Sequence, residues 1–182
     1  MDEGEDGARL AASLADRLER LTFVELTTDE VTTRIIESVV AWAEGEGWRV
    51  YRRAPSVVPL PPPLTGQHSV VDVGCARPAG PPVVVEVDHS DRRRTIDKLV
   101  AEAGAGRIPI WVRWGAGRFV APPPPIHLVT CAVTRGAGPA GRGRLHTRLP
   151  ADERPPPAHS ARGVDVAAAV ALPIPSLDPE QP

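Results

Sequence analysis

Two valine-rich runs, HSVVDVGCA at 68–76 and VVVEVD at 83–88, are separated only by the turn-forming residues RPAGPP. Short β-branched runs bounded by Gly and Pro read as strands, and a connection this short fits an antiparallel hairpin. Both strands carry acids where a core strand resists them. Asp72 sits between Val71 and Val73, and Glu86 and Asp88 flank Val87. Side chains alternate across a strand, so Glu86 and Asp88 share a face. Paired as a hairpin, the strands bring Asp72 beside Glu86. Three carboxylates on one face raise one another's pKa and call for a counter-charge. A hard divalent cation supplies it, and magnesium (or manganese) favours carboxylates completed by water and phosphate oxygens. His89, next to Asp88, is a further candidate, as a general base or an extra ligand.

The surrounding chain supplies an α/β frame. Leucines at 10, 14, 18 and 21 mark an N-terminal amphipathic helix within 1–27, packing on the domain or on a partner. Thr27 and Glu30 form a capping box for a helix with Val31, Ile35, Val39 and Trp42 on one face, stopped by Gly45 and Gly47. Trp48 to Arg53 alternates as a short strand, followed by the proline-rich loop VVPLPPPLTGQ. Ser90 is expected to cap a helix from Asp91 to about Ala103, with Ile96, Leu99, Val100 and Ala103 inward. RIPIWVRW at 107–114 and IHLVTCAV at 126–133 complete the strands. The expected domain spans 28–134, and 135–182, rich in Gly, Pro, Ala and Arg, is expected to be disordered.

Composition narrows the function classes. The formal net charge of −2 provides no global basic field, so nucleic-acid binding needs a local patch. Lys98 is the only lysine, and the arginine-, proline- and glycine-rich usage follows a GC-rich coding bias, which weakens any argument from arginine content alone. Cys75 and Cys131 form no paired motif, and His68 and His127 have no metal-ligand spacing, so a zinc site is not expected. A cytoplasmic setting is expected from the cysteine usage, with no signal peptide and no membrane-spanning run.

From Thr28 to Trp114 the order is helix, strand, strand with Asp72, strand with Glu86-Val87-Asp88, helix, strand. In this the chain resembles the PD-(D/E)XK nuclease superfamily, with its restriction-endonuclease-like αβββαβ core and a mixed central sheet flanked by helices. Asp72 matches the first acid of the motif and Glu86 the second. The resemblance implies a Mg²⁺-dependent endonuclease or exonuclease acting on nucleic acid, DNA foremost, with Asp72, Glu86 and Asp88 at the metal. The small size of the chain suggests that specificity comes from a homodimer or a larger complex.

Two positions depart from the pattern. Val71 replaces the proline, and Asp88 stands where the family places its lysine. Some members move that lysine to the following helix. The expected inward face, however, turns Lys98 toward solvent. Arg92 is better placed as a phosphate clamp, and Glu37 is a secondary candidate because family members often carry an acid on the first helix. The alternative is a catalytically degenerate module of the same fold that binds nucleic acid or protein. A third reading is an enzyme acting on another phosphate ester.

Overall fold

The hairpin forms. Strand β3 (His68–Ala76) pairs antiparallel with β4 (Val83–Asp88), placing Val73 opposite Val85 and Cys75 opposite Val83. The computed structural model describes residues 3–138 and 143–154. Before the hairpin come α1 (Glu3–Glu19), β1 (Phe23–Leu26), α2 (Thr28–Gly45) and β2 (Arg49–Pro59). After it come α3 (Arg93–Gly104), β5 (Ile108–Gly115), β6 (His127–Ala132), β7 (Thr134–Ala137) and β8 (Arg144–Arg148). The main sheet has the order β2-β3-β4-β5-β6, antiparallel from β2 to β4 and parallel from β4 to β6. The class is α/β with a mixed five-stranded sheet.

Strand alternation sends the β4 valines to two different cores. Val83, Val85 and Val87 join Val31, Ile35, Val39 and Trp42 of α2. Val84 turns the other way and packs with Val71, Leu99 of α3 and Trp111 of β5. Glu86 and Asp88 share the parity of Val84, so they lie on the α3 side of the sheet.

The Thr27 capping box is present: Thr27 N donates to Glu30 Oε2 at 2.8 Å, and Glu30 N donates to Thr27 Oγ1. Helix α1 is an integral part of the core, because Leu10, Leu14 and Leu18 are buried among the α2 and sheet residues. Gly7 lets it settle on β6: a Cβ there would stand 2.1 Å from His127 Nε2.

Three expected boundaries move. Strand β2 runs on to Pro59, absorbing the start of the proline-rich loop. Helix α3 starts at Arg93, with Arg92 rather than Ser90 in the capping position. The segment after Arg135, expected to be disordered, continues into β7 and β8, which form a second sheet of order β1-β8-β7. Burial of Leu145, His146 and Arg148 holds that sheet to the body. Residues 139–142 and 155–182, the remainder of the expected disordered tail, lie outside the described residues. No described helix is long and apolar enough to cross a membrane.

Candidate active site

The site begins with a break in the β3–β4 ladder. Its last regular pair is Val73–Val85. Beyond it Val71 turns to the α3-side core while Val73 stays in the other, although strict alternation would put both on one face. The neighbouring strand shows why. Arg52 and Ala54 of β2 pair with Val73 and Val71, and Arg53 between them has φ +51°, a left-handed kink opposite Asp72. The Asp72 carboxylate then does the work of a ladder carbonyl: Oδ2 accepts from Val87 N at 2.8 Å.

A cleft of about 560 Å³ opens at this break. Asp72, Glu86 and Asp88 form its floor. Thr28 and Asp29 at the start of α2 line one wall, and Arg92, Arg94, Thr95 and Lys98 line the other.

Lys98 does not point to solvent. Its Nζ donates to Glu86 Oε1 at 2.7 Å and to the Val70 carbonyl at 2.7 Å. The wheel that turned it outward was centred on apolar residues alone. The buried face of α3 is Thr95, Leu99 and Glu102, while Val100 is exposed. Glu102 is fully buried because Ser56 Oγ and Val57 N donate to its Oε1 and Arg107 Nη1 donates to its Oε2. A satisfied buried acid swings the inward face round, and Lys98 comes within roughly 60° of Thr95 on the wheel. The signal lay in Glu102 and Arg107, acid and base on either side of the helix end.

The expected cluster of three carboxylates is not formed in that way. Among the described residues no group of three or more His, Cys, Asp or Glu side chains is arranged to hold a metal ion. Asp72 and Glu86 remain as a pair, and the charge of Asp72 adds to the cost of ionising Glu86. Asp88 is turned to β5, where its Oδ2 accepts from Trp111 Nε1 at 3.1 Å. His89 lines the cleft with its ring centroid 5.5 Å from that of Trp114. Arg92 also lines it and is exposed. Glu37 lies outside it, exposed on α2 and 3.8 Å from Arg34; the acid that α2 contributes to the cleft is Asp29, from its first turn. Both cysteines are buried, and burial pushes the Cys75 thiol up to about 12.

Burial dominates the electrostatics of the floor. It raises Asp72 above the ordinary carboxylate range against the Val87 hydrogen bond. It raises Glu86 to about 7, with the charges of Asp72 and Asp88 adding and Lys98 opposing. An acid whose folded pKa is raised holds its proton more tightly in the folded chain. Its contribution to stability is therefore full below the ordinary value of 4.5 and is lost as pH rises through about 7. We expect urea unfolding to show this loss, and Glu86→Gln to remove it from the profile. The half-buried His127 and the buried His146, both held below their ordinary values by desolvation, act with the opposite sign, so the difference between variant and wild type is the diagnostic quantity. An unchanged difference across this range would refute the assignment.

Two carboxylates suit a hard dication. Each uses one oxygen within the protein and keeps the other free of any hydrogen bond among the described residues. Magnesium is commonly held by one or two carboxylates, with water and substrate phosphate completing the shell. Comparison of the chain with protein-family models, curated proteins and solved structures returns no match.

Proposed function

We propose that the chain is a Mg²⁺-dependent nuclease of the PD-(D/E)XK type, hydrolysing phosphodiester bonds in DNA at the Asp72–Glu86 pair. The observation that carries this reading is the Lys98 ammonium on Glu86 at 2.7 Å. The departure that favoured a degenerate module was the missing lysine, and α3 delivers a cation to the acid that needs it. Further support comes from the element order after Thr28: a helix, a three-strand antiparallel meander, a helix and a parallel strand.

Each residue then has a physical task. Asp72 and Glu86 would hold Mg²⁺ or Mn²⁺, which when bound supplies Lewis acidity to the phosphodiester and to an attacking water. Asp72 also bridges β3 to β4 at the cleft by accepting from Val87 N. Lys98 directs two of its three protons to Glu86 and Val70, leaving the third for a phosphate oxygen or the water. Asp88 is a positioning residue that holds Trp111 in the α3-side core.

The purified chain is expected to cleave DNA when Mg²⁺ or Mn²⁺ is added and to stop when a chelator removes it. Gel analysis of single- and double-stranded substrates, with RNA in parallel, reads the outcome. No cleavage of any of them with either metal would overturn the reading.

A further inference from the structure

Helix α3 begins without the groups that normally finish a helix start. No side chain accepts from its first-turn amides, and its first turn contains no acid. Arg92, Arg93 and Arg94 stand there instead, where positive charge is unfavourable against the helix dipole. The two residues placed to relieve this are engaged elsewhere. Ser90 Oγ accepts from Arg92 Nε at 3.2 Å. Asp91 is bound by Arg113, a buried arginine of β5 whose guanidinium lies 4.7 Å from the Trp111 ring centroid.

An independent observation points to what fills the gap. Thr95 is 6% exposed and lines the cleft. Its hydroxyl has no hydrogen-bond partner among the described residues, and its oxygen is not one of the fully enclosed, unpaired atoms. The small remaining exposure of Thr95 is therefore onto the cleft. Thr95 N donates to the Arg92 carbonyl at 3.0 Å, while the Arg93 and Arg94 amides have no acceptor among the described residues, so a hydroxyl on the cleft lies beside two amide donors with a place for an acceptor.

We propose that the Arg92 and Arg94 side chains, the Thr95 hydroxyl and the backbone amides of Arg93 and Arg94 form a binding subsite for a phosphate oxyanion, separate from the Asp72–Glu86 pair. The anion satisfies the uncapped amides, the Thr95 hydroxyl and the two guanidinium groups together. Asp29, Asp72, Glu86 and Asp88 line the same cleft and repel it, which confines it to the α3 wall. Arg93 stays outside, pairing with Asp97 at 3.5 Å. Phosphate binding stands on these groups alone; its use in placing a nucleic-acid backbone rests on the nuclease reading.

The test is titration of the ¹⁵N-labelled full chain with inorganic phosphate, in chelator. It is repeated with a short oligodeoxynucleotide carrying or lacking a 5′-phosphate. The amides of Arg93 and Arg94 are expected to shift. Arg94→Ala and Thr95→Val should each weaken phosphate binding about tenfold, the value of one charge-assisted hydrogen bond. Thr95→Ser should restore it, and Arg93→Ala should leave it intact. Tighter binding of the 5′-phosphorylated strand assigns the subsite to a terminal phosphate, and equal binding assigns it to a backbone phosphate. Phosphate that moves neither of these amides, or an Arg93→Ala loss as large as that of Arg94→Ala, overturns the proposal. Intact phosphate binding without metal-dependent cleavage would count against the nuclease reading alone.

Discussion

Lys98→Met is expected to lower metal-dependent cleavage by about 100-fold or more, while Asp88→Asn retains most of it. The ammonium is a fixed donor in a site shielded from water, and removing one such donor typically costs about 10²–10³ in rate. Lys98 is held at both ends of its reach, by Glu86 Oε1 and the Val70 carbonyl. Methionine keeps the length and bulk of the stem but loses the charge. Its loss also leaves Glu86, already near 7, without the cation that opposes its protonation. Rates should therefore be measured at saturating metal and at alkaline pH, which separates a lost charge on the phosphate from a protonated ligand. Asparagine at position 88 can still accept from Trp111 Nε1 and should keep that contact. A Lys98→Met enzyme as fast as wild type, or an Asp88→Asn enzyme as slow as Lys98→Met, would return the decisive role to Asp88.

The second large effect is on stability. Arg148→Ala is expected to destabilise the chain by about 3–5 kcal/mol, the usual cost of removing one partner from a buried charged network. The Arg148 side chain is only 2% exposed. It donates to the carbonyls of Leu18, Leu21 and Ala132 and to Glu19 Oε2. One guanidinium thus ties the end of α1, the start of β1 and the end of β6 to β8. Alanine leaves those carbonyls short of a donor and β8 without its anchor. For a domain of this size the melting temperature should fall by about 10 °C. Thermal unfolding followed by circular dichroism measures it, and a shift of a degree or two would show that β8 is a dispensable appendage.

What could be read from the sequence was what local chemistry decides. The Thr27–Glu30 capping box and the stripe from Val31 to Trp42 need nothing beyond their own helix, and both form. The hairpin and the shared face of Glu86 and Asp88 follow from alternation alone. Three features escaped because distant residues control them. The β3 twist at Asp72 depends on a left-handed Arg53 in the neighbouring strand. The direction of Lys98 depends on Glu102, whose burial is permitted by Ser56 on β2 and by Arg107. The strands β7 and β8 have little apolar content of their own and are held by Arg148 reaching back toward the N-terminal helix. In each case a polar residue is held in place by partners distant in the chain, a condition that hydrophobic periodicity does not register.

The Asp72–Val87 hydrogen bond gives the cleft a native spectroscopic reporter. In an ordinary ladder, an amide's resonance and exchange rate report the integrity of the sheet. At Val87 the acceptor is instead a carboxylate of the candidate metal pair, 2.8 Å away. Charge drawn from that carboxylate by a bound cation weakens it as an acceptor, so occupancy of the cleft is encoded in the ¹⁵N resonance of one backbone amide, without an attached probe or substrate.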